Sequence, residues 1–397
     1  MSKWQELEGK YFMKTVERLP VTIVRGQGSR VWDENGKEYL DFVAGWAVNC
    51  LGHCPQVVVE AVTEQVRTLI QTSNQFYTIP QVQLAEILVQ HSCLDKVFPC
   101  NSGTEANEGA VKLARRYGKR HLNGAYEVIT AMSSFHGRTL AMVAATGQPK
   151  YQQSYIPLTT GFVNVEYNNV EAIKEATTNQ TCAVMLEPLQ GEGGVNLVSD
   201  DYLTAVRDWC DQKGILLILD EIQTGVGRTG TLFAYEKYGV EPDIMTLAKG
   251  LASGIPIGAI LAKNRASVFT PGDHGSTFGG NPVACAAGYA TMKYIIDNDV
   301  AGNAKRVGQY FIAKLEQLKQ KFQFITEVRG CGLLIAMEFG SDVANSVVEA
   351  CLDRGLLVNR VKPNTLRFMP PLVISTSEVD EAISILDEAL PSIVSWK

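Results

Sequence analysis

Lys249 and Asp220 are the two residues whose types and settings promise chemistry. Lys249 follows the apolar stretch DIMTLA and precedes Gly250, so its amine stands at the end of a strand-like run. An amine in an apolar setting has a lowered pKa, as imine chemistry with a carbonyl requires. Asp220 ends the run ILLILD, with Glu221 behind it. A carboxylate at the carboxyl edge of a buried strand is often an active-site group, and as often a metal ligand or a loop cap. Most lysines are surface side chains with their stems laid on apolar surface. Lys249 differs because Asp220 ends a neighbouring strand-like run.

Further polar loops could serve the same crevice. In Asn101-Ser102-Gly103-Thr104-Glu105-Ala106-Asn107 a glycine-containing loop runs into a helix, and Ser102-x-x-Glu105 has the spacing of a capping box. The free N–H groups and dipole of such a helix start suit a phosphate; an ordinary cap fits the same residues. Phe135-His136-Gly137-Arg138 offers an aromatic that could stack on a flat cofactor and an arginine that could clamp a carboxylate. A core phenylalanine, a structural histidine and a surface ion pair are the plain alternatives. His274 to Pro282 is a donor-rich glycine loop suited to a phosphate or to a simple turn. Gly225-x-Gly227-x-x-Gly230 matches dinucleotide spacing. That fingerprint needs a strand running straight into its first glycine, and here residues 220–224 intervene.

These residues must be held by α/β architecture. YEVIT (126–130), CAVMLE (182–187), ILLILD (215–220) and DIMTLAK (243–249) read as buried strands. PQVVVEAVTEQVRTLI, QVQLAEILVQHS and DYLTAVRDWCDQKG read as helices around and between them. The alternation implies a mainly parallel sheet covered on both faces, with its ligand crevice at the strand ends. Asn35-Gly36, between VWDE and KEYLDF, signals a hairpin. After residue 290, TMKYIIDN and VGQYFIAKLEQLKQKF read as helical, then GLLIAMEF, GLLVNRV and TLRFMP as strands. A last helix starts near Ser377 behind the capping pair Ser375 and Glu378. The expected division is a large domain over 54–285 and a small α+β domain over 286–397 that the segment 1–53 joins.

The chain of 397 residues carries a net charge of −6, which argues against a nucleic-acid partner. The N-terminus lacks the apolar core of a secretory signal, and the strongest apolar run, Ile215 to Leu219, is far too short to span a bilayer. Nine scattered cysteines suggest a reduced, cytoplasmic protein, and five histidines without ligand spacing give no metal site.

Taken in order, NSGTEANEGAVKLAR, SSFHGRT, LEPLQGEGG, LILDEIQTGVGRTG, TLAKGLASGIPIGA, HGSTFGGNP and RGCGLLIAMEF cover nearly the whole chain and resemble the class III aminotransferases, most closely the acetylornithine aminotransferase branch. The resemblance implies the fold type I of pyridoxal-phosphate (PLP) transferases. It implies that Lys249 holds the cofactor as an imine and carries the substrate proton, and that Asp220 keeps the ring nitrogen protonated. Ser102, Gly103 and Thr104 would hold the phosphate, Phe135 would stack on the ring, and Gln223 would approach its ring oxygen. Glu221 and Ile222 would belong to the same cofactor site. Thr277 would reach the phosphate of a neighbouring subunit, making the protein at least a homodimer, and Ser276 would lie near the substrate. Arg138 would hold a substrate carboxylate, Arg367 the α-carboxylate of glutamate, and Glu192 would be the switch that pairs with Arg367 when an ω-amine is bound.

The reaction so implied moves the ω-amino group of N-acetylornithine to 2-oxoglutarate, a step of arginine synthesis. N-Succinylornithine, 4-aminobutyrate, ornithine and acylated lysine-pathway donors are rivals within the family; a glutamate 1-semialdehyde aminomutase needs no glutamate α-carboxylate site. Outside the family stand a nicotinamide dehydrogenase, on the glycine match, and a catalytically silent binding relative. Departures from the family pattern are Val16 in place of a tyrosine, Gly52-His53-Cys54-Pro55 short of a histidine, and Trp46 for a smaller aliphatic. Gly45 replaces the aromatic of ornithine δ-aminotransferases, which favours a bulkier acylated substrate.

Overall fold

The computed structural model describes residues 2–394. The N-terminal strands β1 (Ile23–Gln27), β2 (Arg30–Asp33) and β3 (Glu38–Asp41) pair antiparallel in that order. The hairpin forms at Asn35-Gly36, where only Gly36 takes a left-handed backbone (φ 82°). The Asp33 side chain closes the turn by accepting from the N–H groups of Asn35 and Lys37.

The large sheet contains β4 (Lys96–Cys100), β5 (Glu127–Ala131), β6 (Phe162–Val165), β7 (Thr181–Leu186), β8 (Leu216–Asp220), β9 (Ile244–Leu247) and β10 (Gly258–Ala262). Their order is β4-β10-β9-β8-β7-β5-β6. The neighbours from β9 to β6 run parallel, whereas β10 is antiparallel to both β9 and β4. The four strands read from the sequence lie within two residues of their expected bounds. The sequence does not announce β4, β6 and β10. Pro99 disguises β4, and a proline is admissible there because β4 lies at the sheet edge.

Side chains of β8 alternate between two cores, as the two-residue period of a strand demands. Leu216 and Ile218 pack with Ala106, Ala110 and Leu113 of the Gly103–His121 helix. Leu217 and Leu219 face the other way, in a cluster with Leu203 and Val206 of the Tyr202–Lys213 helix. Burial on both faces explains why this strand is apolar throughout rather than alternating.

Beyond the Pro282–Asp297 and Val300–Lys321 helices come β11 (Ile325–Cys331), β12 (Leu334–Phe339), β13 (Leu356–Leu357), β14 (Asn359–Lys362) and β15 (Thr365–Phe368). An antiparallel sheet forms in the order β11-β12-β15-β14. The segment GLLVNRV does not form one strand. Its first half, β13, pairs parallel with β3 of the N-terminal sheet, and its second half, β14, pairs with β15. The last helix, Thr376–Val394, opens on the expected capping box: Glu378 N–H donates to Ser375 Oγ, and Ser375 N–H donates to the Glu378 carboxylate.

Candidate active site

The parallel strands β8 and β9 place the two central residues. Asp220 ends β8 in register with Thr246 of β9. Lys249 lies just past the end of β9 and opens a short turn, Lys249–Ala252, with a left-handed backbone (φ 44°). A side chain in that region costs about 1–2 kcal/mol, so the surrounding packing must hold it there. Both residues line one cavity of about 460 Å³ at the carboxyl ends of the strands. Burial lowers the Lys249 pKa below its ordinary value; Glu192 opposes that effect and Arg367 adds to it.

Asp220 is fixed from three sides. Asn107 Nδ2 donates to Oδ2 at 2.7 Å, the Ile222 N–H donates to Oδ1 at 3.0 Å, and His136 Nδ1 lies 2.8 Å from Oδ2. Because the carboxylate can only accept, Nδ1 of His136 must carry the proton. Asn107 is in turn oriented by Thr246 Oγ1, which donates to its Oδ1 at 2.7 Å. Among the described residues, His136 Nε2 is a buried side-chain nitrogen with no hydrogen-bond partner.

In the same cavity lining, Ser102 caps the Gly103–His121 helix, its side chain accepting from the Glu105 N–H. The capping box is altered, since Glu105 reaches back past Ser102 to the Asn101 N–H. The N–H groups of Gly103 and Thr104 have no intramolecular partner among the described residues, and both residues line the cavity. Gly103 allows close packing, because a Cβ there would lie 2.8 Å from Cδ1 of Ile222. Two free donors at a helix start meet the needs of a phosphate. The donor set therefore fits PLP: an amine for a carbonyl, a carboxylate for a ring nitrogen, free N–H groups for a phosphate and an aromatic for a ring face.

Phe135, Arg138, Ile222 and Gln223 also line the cavity. Phe135 meets Tyr151 edge-on, with centroids 5.9 Å apart, and the Arg138 guanidinium lies 3.8 Å from the Tyr151 ring centroid. Arg367 is buried on β15 and sits 2.8 Å from the Glu192 carboxylate. Its Nη1 donates to Gln223 Oε1 at 3.0 Å, so Gln223 touches the arginine as well as the cavity. Burial pulls the Glu192 pKa up, but Arg367 and Lys249 outweigh it and leave the group below its ordinary value.

Other expected residues stand elsewhere. Glu221 turns away from the cavity and accepts from the N–H groups of Ala234 and Tyr235. Alternation along the chain sends it to the face opposite Asp220, where it caps the Ala234–Tyr238 helix, and it does not line the cavity. Ser276 and Thr277 do not line this cavity. Ser276 Oγ accepts from Asn101 Nδ2 at 3.1 Å, while Thr277 is exposed on a loop held by Gln71. The glycine-rich 225–230 segment opens no helix; its Arg228 donates to the carbonyls of Leu333 and Pro370 and ties the loop to the C-terminal strands. Trp46 is exposed in a left-handed turn, Ala44–Ala47, just before the cavity-lining Val48.

Nothing in the sequence assigns a role to Asn107 or Glu187, and His136 reads there as structural. Asn107 had a usable signal, being the polar residue on a helix face shared with Ala106 and Ala110. Glu187, on the loop after β7, joins the site only through the fold.

The class-III aminotransferase family model matches residues 11–390. An acetylornithine aminotransferase of Caldanaerobacter subterraneus is 50% identical, over 97% of this chain and 98% of that protein. One from Methanocaldococcus jannaschii is also 50% identical, over 98% of each. Among solved structures, the ornithine aminotransferase of Toxoplasma gondii superposes with a TM-score of 0.95 at 35% identity, covering 99% of this chain and 96% of that one. The acetylornithine aminotransferase of Elizabethkingia anophelis gives 0.88 at 34% identity, with 98% of each chain covered. Family match, fold and site geometry agree, and the chain belongs to the class-III aminotransferases.

Proposed function

We propose that this enzyme moves the ω-amino group of N-acetyl-L-ornithine to 2-oxoglutarate, giving N-acetyl-L-glutamate 5-semialdehyde and L-glutamate. The observation that carries the reading is the Glu192–Arg367 ion pair beside the cavity that holds Lys249 and Asp220. The site must accept glutamate, with two carboxylates, and an amine donor with one. An arginine masked by a movable carboxylate serves both: Glu192 covers Arg367 for the donor and withdraws for the α-carboxylate of glutamate. A mutase has no use for such a pair. The names of the full-length relatives support acetylornithine as donor.

Bound in this cavity, PLP supplies a carbonyl for the amine and an electron sink for the carbon that loses its proton. Lys249 would hold it covalently and, through Nζ, carry the proton between substrate carbon and cofactor. Its lowered pKa makes the neutral amine accessible. Asp220, held by Asn107 and His136, would keep a proton on the ring nitrogen. Ser102, Gly103 and Thr104 would hold the phosphate, with Phe135 and Ile222 against the ring. Arg138, exposed over Tyr151, would take the far carboxylate of the substrate.

A cytoplasmic homodimer completes the reading. Phe76, Tyr77, Ile79 and Phe278 form an exposed apolar surface next to Thr277, with Tyr77 98% exposed. Gln71 and Asn74 tie the 71–77 segment to the Ser276–Gly279 loop. A surface of this kind marks a protein contact, and it would deliver Thr277 to the partner's phosphate. Among the described residues no helix is long and apolar enough to cross a membrane. The division into a large unit over 54–285 and a small one over 286–397 with 1–53 is supported by the pairing of β3 with β13.

The test is a donor panel with 2-oxoglutarate. Acetylornithine should show the highest kcat/KM among acetylornithine, succinylornithine, ornithine and 4-aminobutyrate. Preference for another donor by about 10-fold, or 1.4 kcal/mol of transition-state binding, would reject the proposal.

A further inference from the structure

We propose that Glu187 is a positioning residue whose single carboxylate ties the Phe135 segment to the loop that carries Glu192. Glu187 lies on the loop after β7, is 5% exposed and lines the cavity. Its Oε1 accepts from the Phe135 N–H at 2.9 Å, and its Oε2 accepts from the Gly191 N–H at 3.2 Å. Phe135 is the ring proposed to lie on the cofactor; Gly191 immediately precedes Glu192. One buried side chain therefore spans the aromatic wall and the base of the switch loop.

The tie is specific to a carboxylate of this length. Two N–H donors converge on two oxygens, and an amide offers only one oxygen, its NH2 facing a donor. The loop end is also sterically fixed, because a Cβ at Gly191 would fall 1.6 Å from Gln223 Oε1. Gln223 itself contacts Arg367, so displacement of Gly191 reaches both members of the switch pair. The titratable groups facing Glu187 are His136, Asp220, Lys249 and Tyr167, whose hydroxyl donates to the Glu187 carbonyl. Burial pushes the Glu187 pKa up to about 7, against the opposing effect of His136.

This inference rests on the reading of Glu192 as the movable partner of Arg367. The experiment is a double-mutant cycle in the holoenzyme with Glu187→Gln, Glu192→Ala and their combination, each half-reaction followed separately by cofactor absorbance. Amide hydrogen exchange of the peptides covering 132–138 and 188–195 is recorded alongside. Glu187→Gln should reduce kcat/KM for the ω-amine donor about 10-fold and for glutamate less than about 3-fold. The added loss should largely vanish in the Glu192→Ala background, since coupled residues are non-additive. Both peptides should exchange faster while β8 stays protected. Additive losses, or unchanged exchange in either peptide, overturn the role of Glu187. If Glu192→Ala alone shows no donor-selective loss, the switch reading itself fails and takes this inference with it. Should Glu187→Gln fold poorly, Glu187→Asp keeps the charge but shortens the reach. It should give the same selective loss, and wild-type behaviour of Glu187→Asp in both readouts also overturns the tie.

Discussion

Nη2 of Arg367 lies 2.8 Å from Oε1 of Glu192, and the two partners differ in freedom: the arginine side chain is 1% exposed, the glutamate 26%. Arg367 is also held by Asn359, whose Oδ1 accepts from both Nε and Nη2. The arginine is fixed, so the proposed switch asks only the more exposed carboxylate to move. A buried guanidinium stripped of its counter-charge is costly, so Glu192 is needed whenever no substrate carboxylate fills its place. Glu192→Ala should therefore lower kcat/KM for the ω-amine donor by about 10-fold or more and spare the glutamate half-reaction. Separate half-reaction kinetics check this, and equal losses would contradict it.

Asp220 receives hydrogen bonds from Asn107 and the Ile222 N–H and contacts His136, so Asp220→Asn keeps the shape while removing the charge. The neutral side chain cannot hold a proton on the ring nitrogen. The expected loss in kcat is about 100-fold or more, with some loss of melting temperature as well, because the amide turns its NH2 toward one of these donors. Activity within about 3-fold of wild type would count against the ring-nitrogen role.

Glu221 carries a prediction of the opposite kind. Burial pushes its pKa up from 4.5 to about 8, against the N–H groups of Ala234 and Tyr235. The folded chain thus keeps a proton that the unfolded chain releases, and stability from this group is lost as pH rises from about 4.5 toward 8. Glu221→Gln should flatten the fall of Tm between about pH 5.5 and 8, while kcat stays within about 3-fold. Thermal melts across that range, with assays, test both halves. Glu187 contributes in the same direction, so the slope shrinks without vanishing.

The exposed surface around Tyr77 should be covered by a second copy. Tyr77→Asp places a charge in that proposed contact and should shift sedimentation toward monomer, with weaker cofactor retention because the proposed reach of Thr277 to the partner's phosphate would be lost. A dimer of wild-type stability would contradict this assignment of the surface.

Much of the site was legible because single side chains announce themselves at strand ends. Asp220 and Lys249 close apolar runs that only a doubly covered sheet explains, and the register between β8 and β9 brings them together. Glu221 follows Asp220 in the sequence, yet adjacent residues at a strand end point to opposite faces, and its carboxylate meets the Ala234 and Tyr235 N–H groups instead. Strand β4 hid behind Pro99, whose edge position is a fact of topology. GLLVNRV read as one strand because its division between two sheets depends on where β3 lies. Glu187 was invisible for a similar reason: its partners, Phe135 and Gly191, gather around it only after the loops close.

The most direct measurement is the site of borohydride fixation. Purified enzyme should be yellow, and reduction followed by peptide mass spectrometry should place the pyridoxyl adduct on Lys249, with Lys249→Ala losing both the adduct and turnover. An adduct on any other lysine, or a colourless protein that binds nicotinamide dinucleotide instead, would contradict the assignment of Lys249 and Asp220 to opposite sides of one cofactor.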